Sequence, residues 1–171
     1  MKNKGFLLLA TLILTIAIGL GPLIFAEKLQ TNAGIKRIKA DKAVKFTLVS
    51  TRGNKVTVPQ EDQAIVLLFF SVNCLSCQSE ANKWPEKVGA LKRRKINVLG
   101  ISQTGAKETE VFIRKYKINF PVLVDEWQVV SRLYSIDRIP YYLLINSKGN
   151  IAMRGQWVNI LDHAGEGDIY E

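Results

Sequence analysis

Metal-ligating side chains are scarce in this sequence. It contains one histidine, His163, and two cysteines, Cys74 and Cys77, with no second CxxC pair. A closed structural zinc site takes four such ligands, so a metal clip would need ligands that are not there. Two thiolates and one imidazole leave only a copper-handling site as a metal reading. Low-complexity segments and internal repeats are also absent. The net charge is +9, with basic clusters in "IKRIKADKAVK" and "LKRRK". No aromatic residues interleave with these lysines and arginines, and no base-reading motif accompanies them. The charge therefore reads as solvated surface rather than a nucleic-acid interface. A basic segment next to a membrane span can also touch anionic headgroups weakly.

Charge is missing from residues 5–26, "GFLLLATLILTIAIGLGPLIFA", directly after the two lysines of "MKNK". A spanning helix needs about 20 apolar residues. The apolar core of a cleavable signal peptide is shorter, about 7–15 residues. Gly19, Gly21 and Pro22 loosen the end as in a signal peptide, but Ile24 fits a cleavage site before Glu27 poorly. Residues 1–26 are read as an uncleaved, single-pass anchor in the cytoplasmic (inner) membrane. Lys2 and Lys4 stay on the cytoplasmic side, so Glu27 onward faces the periplasm or cell exterior. Disulfides persist in that compartment. Residues 27–42 show little periodicity and form a tether. Residues 43–158 are the folded domain, and residues 159–171 are a short, Gly-containing tail expected to fray.

Within the domain, "VKFTLVS", "TRGN" and "KVTV" predict a hairpin with Gly53 and Asn54 in its turn. "AIVLLFF" is apolar without alternation, the pattern of a central strand covered on both faces. The segment after the cysteines is charged and places Ala81, Trp84, Val88 and Leu91 at helical spacing. Pro85 should kink this helix or split it. "INVLGIS" and "FPVLVD" predict strands, and "AKETEVFIRKYKI" and "EWQVVSRLY" predict helices. In the first of these, Glu108 and Glu110 come early and Lys115 and Lys117 late, as the helix dipole favours. "YYLLIN", "SKGN" and "IAMRGQW" make a closing hairpin. The order β-β-β-α-β-α-β-α-β-β argues for an α/β fold around one mixed sheet. Trp84, Trp127 and Trp157 are expected to pack in the core or at its rim.

The cysteine pair carries the chemistry. Cys74 stands where a buried strand ends and a helix begins, beside unpaired N–H groups that favour a thiolate. Cys77 lies one turn on, at a spacing that modest adjustment brings into disulfide range. Cys74 can then attack a partner's disulfide and Cys77 can resolve the mixed disulfide. A purely structural bridge over two intervening residues would be a poor staple, because chain-entropy stabilisation grows with loop length. Arg138 stands where it could reach the mouth of the site or simply face solvent.

From about Lys42 to Trp157 the sequence resembles the thioredoxin superfamily. More closely, it resembles the membrane-anchored thiol–disulfide oxidoreductases of the TlpA/ResA type, relatives of the cytochrome c maturation thioredoxins. "FTLVSTRGNKVTV" matches the hairpin that family adds before its core. "LLFFSVNCLSC" matches strand plus CxxC, Trp84-Pro85 matches the helix kink, and the stretch from Tyr116 to Ile151 matches the run to the cis-proline and final hairpin. The resemblance implies a thioredoxin-like fold and a Cys74–Cys77 redox centre. It implies a cis Ile139-Pro140 step facing that centre and pairing with an extended substrate strand. It implies protein dithiol or disulfide partners, among them a membrane electron-donor protein, and a role in cytochrome c or metallo-enzyme maturation. No metal, flavin or nucleotide cofactor is required.

The departures are local. Asn73 replaces the tryptophan usual before the first cysteine, which alters the substrate-facing surface. Leu75-Ser76 lacks the proline common before the second. Leu68 replaces thioredoxin's buried acid, and neither Gln103 nor Glu108 can be assigned the acid's role. A copper-handling thiol protein and a peroxiredoxin-type thiol peroxidase are the alternatives. For the latter, Ser71 supplies the hydroxyl three positions before Cys74, but Leu67 stands where a proline is needed.

Overall fold

A computed structural model describes residues 41–157 and residue 160. The expected anchor, nearly all of the tether and most of the tail, with His163, lie outside these residues.

β1 (Phe46–Val49) and β2 (Lys55–Val58) form the expected antiparallel hairpin, with Phe46 opposite Val58. Gly53 sits in its turn at φ +84°, a conformation that side chains disfavour and glycine adopts freely. The Ser50 hydroxyl accepts the N–H groups of Arg52 and Asn54 at 3.3 and 3.2 Å. This two-stranded sheet stands apart from the main one, joined to it by an isolated bridge between Ser50 and Leu123.

The main sheet contains β3 (Ile65–Phe70), β4 (Asn97–Ser102), β5 (Val122–Val124), β6 (Tyr141–Ile145) and β7 (Ile151–Gly155). Its order is β5-β4-β3-β6-β7. β3, β4 and β5 are parallel, and β6 and β7 run antiparallel to their neighbours. All six residues of β3 are buried, which is why its sequence shows no alternation.

Alternate β3 residues serve two cores. Val66, Leu68 and Phe70 face α1 (Leu75–Ala81), α2 (Trp84–Arg93) and α3 (Ala106–Lys115). Ile65, Leu67 and Phe69 face the hairpin and α4 (Val129–Leu133). Ile160 is fully buried in the first core. In the second, Tyr134 donates from its hydroxyl to the Val44 carbonyl at 2.7 Å and packs edge-on against Phe46. It ties the chain before the hairpin to the sheet. Burial pushes its phenol up to about 12, with the Arg154 charge and the bond to Val44 pulling the other way.

Pro85 splits the helical segment rather than kinking it. It occupies the first turn of α2, where its missing N–H costs no hydrogen bond. Two helices are shorter than their sequence pattern suggests. α3 stops at Lys115, two residues before Lys117 takes a left-handed backbone. α4 starts at Val129 rather than near Glu126, because Gln128 is left-handed at φ 54°. The Asp125 carboxylate there accepts the N–H groups of Val130 and Ser131 at 3.1 and 2.8 Å and the Ser131 hydroxyl at 2.8 Å. A buried carboxylate is tolerated because it is hydrogen-bonded on both oxygens.

The same turn corrects the expectation for Trp127. Its side chain is 79% exposed, carried outward on the loop ahead of α4 instead of packing inward. Trp84 and Trp157 are buried as expected.

The parallel strands end at one edge of the sheet. The loops following β3, β4 and β5 gather there, as does the chain entering β6, because β6 is antiparallel to β3. Ligands of open α/β sheets bind at this edge.

Candidate functional site

β3 delivers the CxxC segment to that edge. Cys74 is the N-cap of α1, in extended conformation, and its Sγ accepts the Cys77 N–H at 3.2 Å. A sulfur therefore takes the place of the hydroxyl or carboxylate oxygen that usually caps a helix. The Cys74 thiol also donates to the Ile139 carbonyl at 3.6 Å. The Ile139–Pro140 peptide is cis, as the resemblance implied, and so is Val58–Pro59, which the sequence did not signal. Cys74, Ile139 and Pro140 are partly exposed, Asn73 and Leu75 are exposed, and Cys77 is completely buried. Every predicted site residue thus lies in the CxxC turn or in the loop that meets it. Arg138 lies next to them but points to solvent, pairing with Asp137 at 3.4 Å, with both side chains more than two-thirds exposed.

A hydroxyl cluster holds the turn. Thr104, just after β4, bonds Ser71 Oγ at 3.1 Å and accepts the Val72 N–H at 3.3 Å. Gln78 Nε2 donates back to the Val72 carbonyl at 2.8 Å. The Ser71 hydroxyl also accepts the Asn73 N–H at 3.4 Å. Gln103 bonds Ser131 at 3.0 Å, so its side chain serves α4.

Sequence reasoning looked for an acid near the cysteines and missed it. Glu80 lies one turn beyond Cys77 on α1, and its charge acts on the Cys77 thiol. Its Oε2 accepts the Tyr142 hydroxyl at 3.0 Å and Lys87 Nζ at 3.3 Å. Lys87 in turn lies 5.0 Å from the centroid of the Trp157 ring. The spacing from Cys77 to Glu80 is the one signal that the sequence offered, since residues three apart share a helix face.

Burial is the main reason the Cys77 thiol is pushed well above its ordinary value of 9.0, followed by its contact with Cys74; the Glu80 charge adds to this. The stability consequence has a definite sign. A group with a raised folded-state pKa contributes fully below its unfolded value and loses that contribution as pH rises. The reduced protein is therefore expected to weaken relative to a reduced Cys77→Ser variant as pH climbs from about 8 to about 10. Urea midpoints across that range measure it. Parallel curves for the two proteins would show that Cys77 carries no such penalty.

Two clefts adjoin the site among the described residues. The larger, about 700 Å³, is lined by Tyr134, Asp137, Arg138, Tyr141 and Arg154 and contains neither cysteine. The smaller, about 270 Å³, runs between α1 and α3 and is lined by Val72, Gln78, Val111, Phe112 and Tyr116. Neither cleft is lined by a cysteine: the smaller borders the CxxC turn through Val72 and Gln78, and the larger borders the Ile139–Pro140 step through Arg138 and Tyr141.

Residues 40–154 match the AhpC/TSA family. The chain belongs to the AhpC/TSA family. Curated proteins similar to this AhpC/TSA member include the thiol–disulfide oxidoreductase ResA of Halalkalibacterium halodurans, 24% identical over 88% of this chain and 85% of that protein. ResA of Bacillus subtilis is 25% identical over 88% and 85%. Among solved structures, StoA from Bacillus subtilis superposes with a TM-score of 0.61 at 22% identity, covering 72% of this chain and 97% of that one. A secreted Mycobacterium tuberculosis disulfide oxidoreductase homologous to Escherichia coli DsbE gives 0.59 at 19% identity, covering 70% and 93%. The fold is thioredoxin-like, a central mixed sheet between helices.

Proposed function

We propose that Cys74 and Cys77 exchange a dithiol for a disulfide with protein partners, Cys74 as nucleophile and Cys77 as resolver. The enzyme is a thiol–disulfide oxidoreductase. One observation carries this reading: the two sulfurs are unequal, Cys74 reachable at the mouth of the site and Cys77 buried behind it with its N–H on the Cys74 sulfur. In the reducing direction, the Cys74 thiolate attacks one sulfur of the partner's disulfide, and the other leaves as a thiolate. Cys77 then attacks Cys74, the intermolecular bond breaks, and the partner departs as a dithiol with two electrons gained.

Ile139 and Pro140 form the platform beside the sulfur on which an extended partner segment lies, and Asn73 borders it. The printed names of the curated relatives support the chemistry. The uncharged run of residues 5–26 after Lys2 and Lys4 supports a single-pass anchor with the catalytic domain outside the cytoplasmic membrane. There, a membrane protein would supply the electrons, and apocytochrome c or a metallo-enzyme precursor would receive them.

Two cysteines, one of them buried, make the compartment testable. In cells expressing the full chain, with any outer envelope opened and disulfides reduced, a membrane-impermeant maleimide is expected to label Cys74 without lysis. Labelling only after the cytoplasmic membrane is broken would place the domain inside and remove the extracytoplasmic reading.

A further inference from the structure

We infer that Tyr142 is a positioning residue for this reaction: its hydroxyl fixes the Glu80 carboxylate beside Cys77, where the carboxylate takes the proton of the resolving thiol. The inference rests on the reading of Cys77 as resolver.

Resolution has a proton problem. Cys77 must become a thiolate to attack, yet its side chain has no solvent contact and burial holds the proton on. A base must reach it from within. Leu68, on β3, offers none. Tyr142 is the direct cross-strand partner of Leu68 and projects into the same core. It is 1% exposed, and its hydroxyl points to Glu80. Glu80 itself remains 37% exposed. Its charge therefore acts on the Cys77 thiol, one turn back along α1, while the carboxylate also meets solvent.

The groups around this pair come from three elements. Lys87 and Trp84 belong to α2, Cys77 and the capping Cys74 to α1, and Tyr142 to β6, with the Trp157 ring 5.2 Å from Tyr142. Lys87 shares the Glu80 oxygen that Tyr142 holds. Both of these bonds are made to Oε2. Tyr142 stays a donor because burial and the Glu80 charge push its phenol up. The Trp84 indole is close enough to pull the other way, although no acceptor meets hydrogen-bond geometry for its buried Nε1.

The step balances. The Cys77 thiol gives its proton to Glu80 and its sulfur bonds to Cys74. The bond from Cys74 to the partner breaks, and the partner sulfur leaves with the electron pair. Glu80 later returns the proton to water. With Phe at position 142, the ring and its packing remain, but the carboxylate loses its neutral donor and is held by Lys87 alone.

The full chain, reduced, is mixed with one equivalent of a symmetric aromatic disulfide whose released thiolate absorbs visible light. The first thiolate reports attack by Cys74 and the second reports resolution, which a Cys77→Ser control should lack. Tyr142→Phe is expected to slow the second phase about tenfold, the loss of a hydrogen bond to a charged group, and to leave the first unchanged. Glu80→Gln should slow that phase about tenfold or more. Adding Tyr142→Phe to Glu80→Gln should then cost nothing further. An unchanged second phase in Tyr142→Phe, or an equal loss in the Glu80→Gln background, overturns the inference. If wild type releases only one thiolate, the resolver reading itself fails, which is a distinguishable result.

Discussion

Changing Cys77 to serine is expected to leave partners covalently bound at position 74, and changing Cys74 to serine is expected to capture none. The geometry makes the two variants unequal. Cys74 is the sulfur a partner can reach, so its loss removes the first bond-forming step. Cys77 is fully buried, with its backbone N–H already on the Cys74 sulfur, so it meets only a disulfide that Cys74 has formed. With serine there, the mixed disulfide must wait for an external thiol. A positioned intramolecular group commonly outperforms a dilute external one by several orders of magnitude, so its lifetime should lengthen on the order of a thousandfold or more. Serine preserves the size and the short polar side chain, and the variant should fold. Non-reducing gels of membranes expressing each full-length variant, with adducts identified by mass, make the comparison. Capture by the Cys74→Ser variant and none by Cys77→Ser would reverse the roles. Capture by neither, together with stoichiometric copper on wild type that depends on His163, would favour the copper-handling alternative.

Truncating Phe70 to alanine should cost about 3–5 kcal/mol of stability. Phe70 ends β3, immediately before the CxxC turn, and is fully buried. Its ring meets Trp84 at 5.2 Å and Phe112 at 5.4 Å, so it joins β3 to both α2 and α3. Neighbouring backbone cannot collapse into the space easily, because Gly100 on β4 already approaches the ring closely; a Cβ built there would lie 3.2 Å from it. Single domains are stable by only about 5–15 kcal/mol, so the variant should sit near its unfolding threshold. Urea denaturation of reduced wild type and variant tests this, and a loss below about 1 kcal/mol would show that the site relaxes, contrary to its packing.

Much of the fold was legible because its signals are local. β3 announced itself by unbroken apolarity, and Gly53 marked its turn. Pro85 marked the break between α1 and α2, and the CxxC pair sat where strand gave way to helix. Errors clustered where one residue's backbone overrode the pattern. Gln128 and Lys117 adopt left-handed conformations that shorten α4 and α3, and no apolar periodicity registers such a turn. Trp127 was expected inside because aromatic rings usually gain from burial, yet the Asp125-capped turn carries it out.

By itself, the sequence determined the chemistry: two cysteines one helical turn apart, after a buried strand, with too few other ligands for a closed metal site. Spacing along one chain is enough for that, since strand end, cap and first turn are set within a few residues. Only the tertiary structure decided what surrounds the sulfurs. Tyr142 stands 65 positions from Cys77 in the numbering, and Ile139 is equally remote from Cys74. They arrive because β6 pairs antiparallel with β3, placing Tyr142 opposite Leu68 and the Ile139–Pro140 step against the CxxC turn. Strand register across a sheet is set by packing on both of its faces, and no local stretch of sequence carries that information.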